Sequence, residues 1–155
     1  MPSKISVEKE QLLKFFEELE TKEEEIREAK IWKHPLSYLP GIFGDWHEYT
    51  VVESTNWYWS FEKQMDGIYV QRSKNEADVK NQFYGKSRSA RIWPEGRFNN
   101  SVMHGENVYN ISQWIINRNA LGRPYHVTRS NCHYFASLLY EAIVRDCGRR
   151  LDNTK

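Results

Sequence analysis

At 155 residues, with 39% hydrophobic and 14% aromatic content, the chain has the size of one domain and enough apolar side chain for a real core, which excludes a disordered or low-complexity protein. The 22 basic and 21 acidic residues leave a formal net charge of +1, so no overall field draws the protein toward nucleic acid or an anionic membrane. No stretch reaches the ~18 uninterrupted apolar residues of a membrane span, and Met1-Pro2-Ser3-Lys4 lacks the apolar run of a signal peptide, so a cytoplasmic protein with no integral membrane segment is expected.

The first element predicted is a long helix over about Ser6 to Lys33 (residues 6–33), with Leu12, Phe16, Leu19 and Ile26 at heptad-like spacing and a solvated acidic face through Glu23, Glu24 and Glu25. Its stripe serves either to pack on its own domain or to pair with a protein partner. His34-Pro35 ends it, and Pro40-Gly41 punctuates the connection onward.

A three-stranded antiparallel meander follows, from about residue 46 to 73. Trp46 to Glu53 is rich in β-branched and aromatic residues, Ser54-Thr55-Asn56 reads as a turn, Trp57 to Gln64 resumes the pattern, and after Asp66-Gly67 a third strand runs from Ile68 to Arg72. Alternation gives His47 two partners on its own face: a turn centred on Ser54-Thr55 sets Glu62 opposite it, and one centred on Thr55-Asn56 sets Gln64 there.

Lys74 to Met103 is polar and aperiodic. Arg88, Arg91 and Arg97, interleaved with Phe83, Tyr84 and Trp93, read as loop and edge-strand residues of a near-neutral protein rather than as a site for single-stranded nucleic acid. Asn107 to Asn117 has helical spacing with Val108, Ile111 and Ile115 inward, and Tyr125-His126-Val127 is a candidate last strand.

The last element, over 130–147, is a helix that Ser130 or Asn131 can cap, with Cys132, Phe135, Ala136, Leu139 and Ile143 along one stripe. A thiol in the first turn meets the positive end of the helix dipole, which favours the thiolate. Buried packing is the other use of such a cysteine. Cys132 and Cys147 are four helical turns apart, beyond disulfide reach, so both are expected as free thiols in a reducing compartment. The five histidines show no paired metal-ligand spacing and there is no Gly-rich phosphate loop, so neither metal nor cofactor is expected.

A strand histidine followed, after two more strands and a helix, by Ser130-Asn131-Cys132-His133-Tyr134-Phe135-Ala136 resembles the circularly permuted NlpC/P60 papain-like group, the lecithin retinol acyltransferase-like proteins with their viral "H-box and NC" relatives. The resemblance covers about Pro40 to Val144. It implies a single papain-like α+β domain, an antiparallel sheet packed on the cysteine helix, with Cys132 as nucleophile, His47 as general base and the Cys132 backbone N–H as oxyanion donor. Such proteins commonly use a second histidine on the next strand as third polar residue; Glu62 or Gln64 stands here instead. His126 is the reserve candidate for the base. The chemistry implied is a hydrolase or acyltransferase working through a Cys132 thioester on a small-molecule, lipid acyl or peptide substrate; the alternatives are a cysteine peptidase and an inactive interaction module of the same fold.

Overall fold

The computed structural model describes residues 3–5, 14, 16–35, 46–64, 67–92, 107–117, 135–140 and 142–143. Their organising element is a mixed-length antiparallel sheet in an α+β arrangement. Four long strands, β2 (Ile26–Pro35), β3 (Trp46–Ser54), β4 (Tyr58–Gln64) and β5 (Gly67–Ser73), form its body. Short β1 (Ser3–Ile5) pairs with β5 at one edge and β8 (Arg91–Ile92) with β2 at the other, giving the order β1-β5-β4-β3-β2-β8. Between β5 and β8 come α1 (Glu76–Lys80) and the two-residue strands β6 (Gln82–Phe83) and β7 (Lys86–Ser87); α2 (Val108–Asn117) follows.

The meander of β3, β4 and β5 forms where the alternating apolar residues place it. Its first turn is a tight two-residue connection, with Ser54 N–H donating to the Trp57 carbonyl at 2.8 Å and Glu53 paired with Tyr58. A buried carboxylate holds this turn: Glu24 accepts the Ser54 hydroxyl at 2.7 Å, the Asn56 backbone N–H at 3.0 Å and the Asn56 amide at 2.7 Å. Glu24 is therefore a structural partner of the turn, not part of a solvated acidic face.

The long helix expected through Lys33 does not form. Residues 14 and 16–18 are helical and Thr21–Glu23 makes a 3-10 turn, but Ile26–Pro35 is a ten-residue strand. A bulge explains the misleading spacing. The β2–β3 register slips between Ile26 and Glu28, so that Ile26, Ala29 and Ile31 all enter one core although 26 and 29 are three residues apart. That interval imitates a helical stripe. Nine backbone pairs with β3 then override the helix propensity of a Glu- and Lys-rich segment.

Both faces of the sheet are covered. On one, Ala29, Ile31, Val52, Trp59, Phe61 and Val70 pack with Phe16, with Val108, Ile111 and Ile115 of α2, and with Phe135, Ala136, Leu139 and Ile143. α2 thus buries the three residues expected to face inward. On the other, Tyr49 and Val51 pack with Val79 of α1, flanked by Trp32, Tyr58 and Ala90. Asn75 caps α1, its side chain accepting from Ala77 N–H at 3.1 Å. Gln71 ties this second layer down, donating to Ser60 Oγ and the Gln82 carbonyl and accepting from Tyr84 N–H at 3.0 Å.

Residues 135–140 and 142–143 are helical, whereas Cys132, Cys147, His126 and the expected strand at 125–127 lie outside the described residues, so a cysteine-bearing helix over 130–147 is not part of the fold described. No helix among the described residues is long and apolar enough to cross a membrane.

Candidate functional site

The chemistry-bearing side chains among the described residues converge on the α1 face of the sheet, around His47. Tyr49 and Val51 pack on this face, and alternation along β3 puts His47 there with them. Extending the β3–β4 register of Thr50↔Phe61 and Val51↔Ser60 sets Glu62 opposite Tyr49 and Gln64 opposite His47. The turn is thus the Thr55-Asn56 alternative. The short bond nevertheless goes diagonally to the carboxylate: His47 Nε2 lies 2.8 Å from Glu62 Oε1.

Glu62 is wholly buried, and its charge is answered by Arg88. The guanidinium Nη1 donates to Oε1 and Nη2 to Oε2, each at 2.8 Å, a parallel fork onto the carboxylate. Arg88 is itself pinned to the end of α1, donating from Nε to the Lys80 carbonyl at 3.1 Å and from Nη2 to the Val79 carbonyl at 2.7 Å. Its guanidinium lies 3.5 Å over the Tyr49 ring, whose hydroxyl donates to the same Lys80 carbonyl at 2.7 Å.

These contacts decide the ionisation. Burial by itself would push the Glu62 carboxyl up, but the hydrogen bond from His47 and the charge and hydrogen bonds of Arg88 outweigh it and hold the group below the ordinary carboxylate range. Burial pushes the Tyr49 phenol well above its usual value against the opposing pull of Arg88, so it remains a hydroxyl donor. With Glu62 ionised, a proton of the His47–Glu62 bond resides on Nε2, which donates to Oε1. The Gln64 amide nitrogen is 3.1 Å from Nε2 and 3.4 Å from Glu62 Oε1; only the second contact is then a donor–acceptor pair.

Two members of this group were not legible as site residues. Arg88 sits in a stretch that reads as loop, 26 residues beyond Glu62, and nothing in the local spacing marks it. His34 is paired directly with His47 across β2 and β3, with ring centroids 5.3 Å apart at 71°. Burial, together with the charges of His47 and Arg88, lowers the His34 pKa to about 4, so that ring is neutral at pH 7. A second histidine therefore does stand beside the first, on the preceding strand instead of the next. Recognising it required β2 to be read as a strand.

His47, Glu62 and Gln64 are thus brought together, while Cys132 lies outside the described residues. The nearest described residues that follow it pack on the other side of the sheet. Phe135 and Ala136 share the core of Val52 and Phe61, and Thr50 Oγ1, on the strand face opposite to His47, donates to the Ala136 carbonyl at 3.4 Å. Comparison of the chain with family models, with curated proteins and with solved structures gives no match.

Proposed function

We propose that the protein is a thiol-dependent acyl hydrolase or acyltransferase of the lecithin retinol acyltransferase-like kind, with Cys132 as nucleophile and His47 as general base. His47 Nδ1 takes the Cys132 proton, the thiolate attacks an ester, amide or lipid acyl carbon, and the proton passes to the departing alcohol or amine. Water or an acceptor then resolves the thioester. The observation that supports this reading is the His47–Glu62–Arg88 cluster. A base must be held in one tautomer and one orientation, and Glu62, kept anionic by Arg88, does both. Gln64 borders the pair as a secondary contact.

One observation favours a second reading, an interaction module of the same fold without catalysis. The helical residues 135–140 and 142–143 lie on the sheet face away from His47, so catalysis requires the chain ahead of Phe135 to carry Cys132 around the end of the sheet to Nδ1. The pH dependence of alkylation separates the readings, measured on Cys147→Ser, in which Cys132 is the single thiol, with and without His47→Gln. A thiol pKa clearly below the usual ~8.5 that rises in the His47 variant is the result expected of the enzyme. A thiol indifferent to His47 leaves the interaction module.

A further inference from the structure

We propose that Trp57, Arg72 and Lys74 form a binding site for a phosphate dianion, free or as the head of a monoester, on the sheet face opposite to His47. Alternation builds the group. Trp59 and Phe61 of β4 and Val70 of β5 enter the core that includes α2, and Trp57, Arg72 and Lys74 continue the same alternation at the end of the meander that carries the β3–β4 turn. Arg72 stands directly opposite Trp59, and one further step in the register sets Lys74 opposite Trp57. Both cations fold over one ring. The Arg72 guanidinium carbon lies 4.0 Å and Lys74 Nζ 4.1 Å from the centre of the Trp57 indole, with the guanidinium 5.7 Å from that of Trp59. The two positive groups are therefore no more than about 8 Å apart.

Attraction to an aromatic face consumes no N–H donor, so the indole holds these groups in place without using them up. Among the described residues Arg72 makes no hydrogen bond or ion pair, and Lys74 gives one N–H to the Asn56 carbonyl at 2.9 Å and keeps the others. Arg72 is half-buried and Lys74 exposed, so a ligand can reach both from solvent. Glu24 is the carboxylate whose charge reaches Arg72, but it is buried and its oxygens already accept from Ser54 and Asn56. Burial accordingly lowers the Arg72 pKa against the pull of Glu24, as for a cation with no counter-ion in contact.

Two cations held close together by one ring repel each other unless an anion lies between them. A carboxylate has one charge to offer both. Phosphate carries close to two at neutral pH, and it can take the guanidinium fork on one side and the ammonium as a point charge on the other, through charge-assisted bonds of about 2.8 Å to separate oxygens. The chain's net charge of +1 keeps the attraction local, and the site lies across the sheet from His47, so it is independent of the thiol reading.

The test titrates the full chain with inorganic phosphate and with glycerol 3-phosphate, following the Trp57 indole N–H in the ¹H–¹⁵N spectrum, assigned by its loss in Trp57→Phe. A saturable shift is expected, and whichever probe binds more tightly identifies the source of the phosphate. Affinity should fall about tenfold or more in Arg72→Gln and in Lys74→Gln. Lys74 is exposed, so its substitution tests the site without disturbing packing. Dimethyl phosphate and acetate, with one charge each, should bind at least about tenfold more weakly than the dianions. Absence of a saturable shift, affinity unchanged in Lys74→Gln, or acetate or dimethyl phosphate bound as tightly as the dianions would each overturn the proposal, while the alkylation result on Cys132 stands or falls separately.

Discussion

Phe61 and Glu62 are neighbours on β4, both with no exposed surface, and they point into layers held together by different physics. Phe61 stacks at 6.3 Å on Phe16 and on Trp59 and belongs to a continuous apolar core that reaches α2 and Phe135, Ala136, Leu139 and Ile143. Glu62 enters the thinner layer beneath α1, where Tyr49, Val51 and Val79 supply little apolar mass and the contacts that fix the layer are the polar ones through His47, Arg88 and Tyr49. The first layer tolerates changes that preserve volume. The second tolerates only changes that leave no polar group without a partner.

The sharpest test substitutes these two neighbours. Phe61→Ala should cost about 3–5 kcal/mol through lost burial and the cavity left behind, read from the urea midpoint at unchanged slope. Glu62→Gln should cost a similar ~3–5 kcal/mol by a different route, since it leaves the Arg88 charge buried without its counter-ion. The two separate in the double variant Glu62→Leu with Arg88→Met, which should recover much of the second loss because no unpaired charge remains. A loss in the double variant as large as in Glu62→Gln would show that apolar packing, not charge pairing, governs this face.

pH distinguishes the layers next. The native Glu62 pKa is depressed, so its contribution to stability is fully present above the unfolded value of 4.5 and is lost as pH falls through the native one. His34 is depressed as well, to about 4 from 6.5; the unfolded chain takes up that proton first, so stability falls as pH drops from about 6.5 to about 4 and then levels off on this account. Unfolding measured across this range should show the upper limb diminished in His34→Gln and the lower limb diminished in Glu62→Gln. Phe61→Ala should displace the whole profile without changing its shape. Smaller effects come last. Tyr49→Phe removes the bond to the Lys80 carbonyl and should cost about 1 kcal/mol, and Asn75→Ala removes the α1 cap for ~1 kcal/mol or less, each seen as a modest shift in Tm.

The two layers also differ in how well the sequence foretold them. β3, β4 and β5 and the inward face of α2 follow from short-range alternation and helical spacing, and the membership of His47, Glu62 and Gln64 in one face follows from alternation alone. β2 did not follow. Its bulge supplied a three-residue interval that looks helical, and its acidic flank looked solvated when Glu24 was in fact satisfied by a turn 30 residues away. With β2 misread, His34 had no strand on which to stand beside His47. α1 carried a readable cap in Asn75, but nothing before or after Arg88 announced a residue whose partners are the carbonyls of Val79 and Lys80 and the carboxylate of Glu62.

By itself, the sequence determined the α+β class, the central meander, the inward residues of α2 and the face shared by His47, Glu62 and Gln64, because each rests on periodicity within a few residues. Tertiary structure alone decided that 26–35 is a strand, that Glu62 rather than Gln64 makes the short bond to the imidazole, that Arg88 holds Glu62 ionised, and that His34 faces His47. Each of these depends on register and on the pairing of buried charge, which bring together residues more than ten positions apart and leave no trace in local spacing.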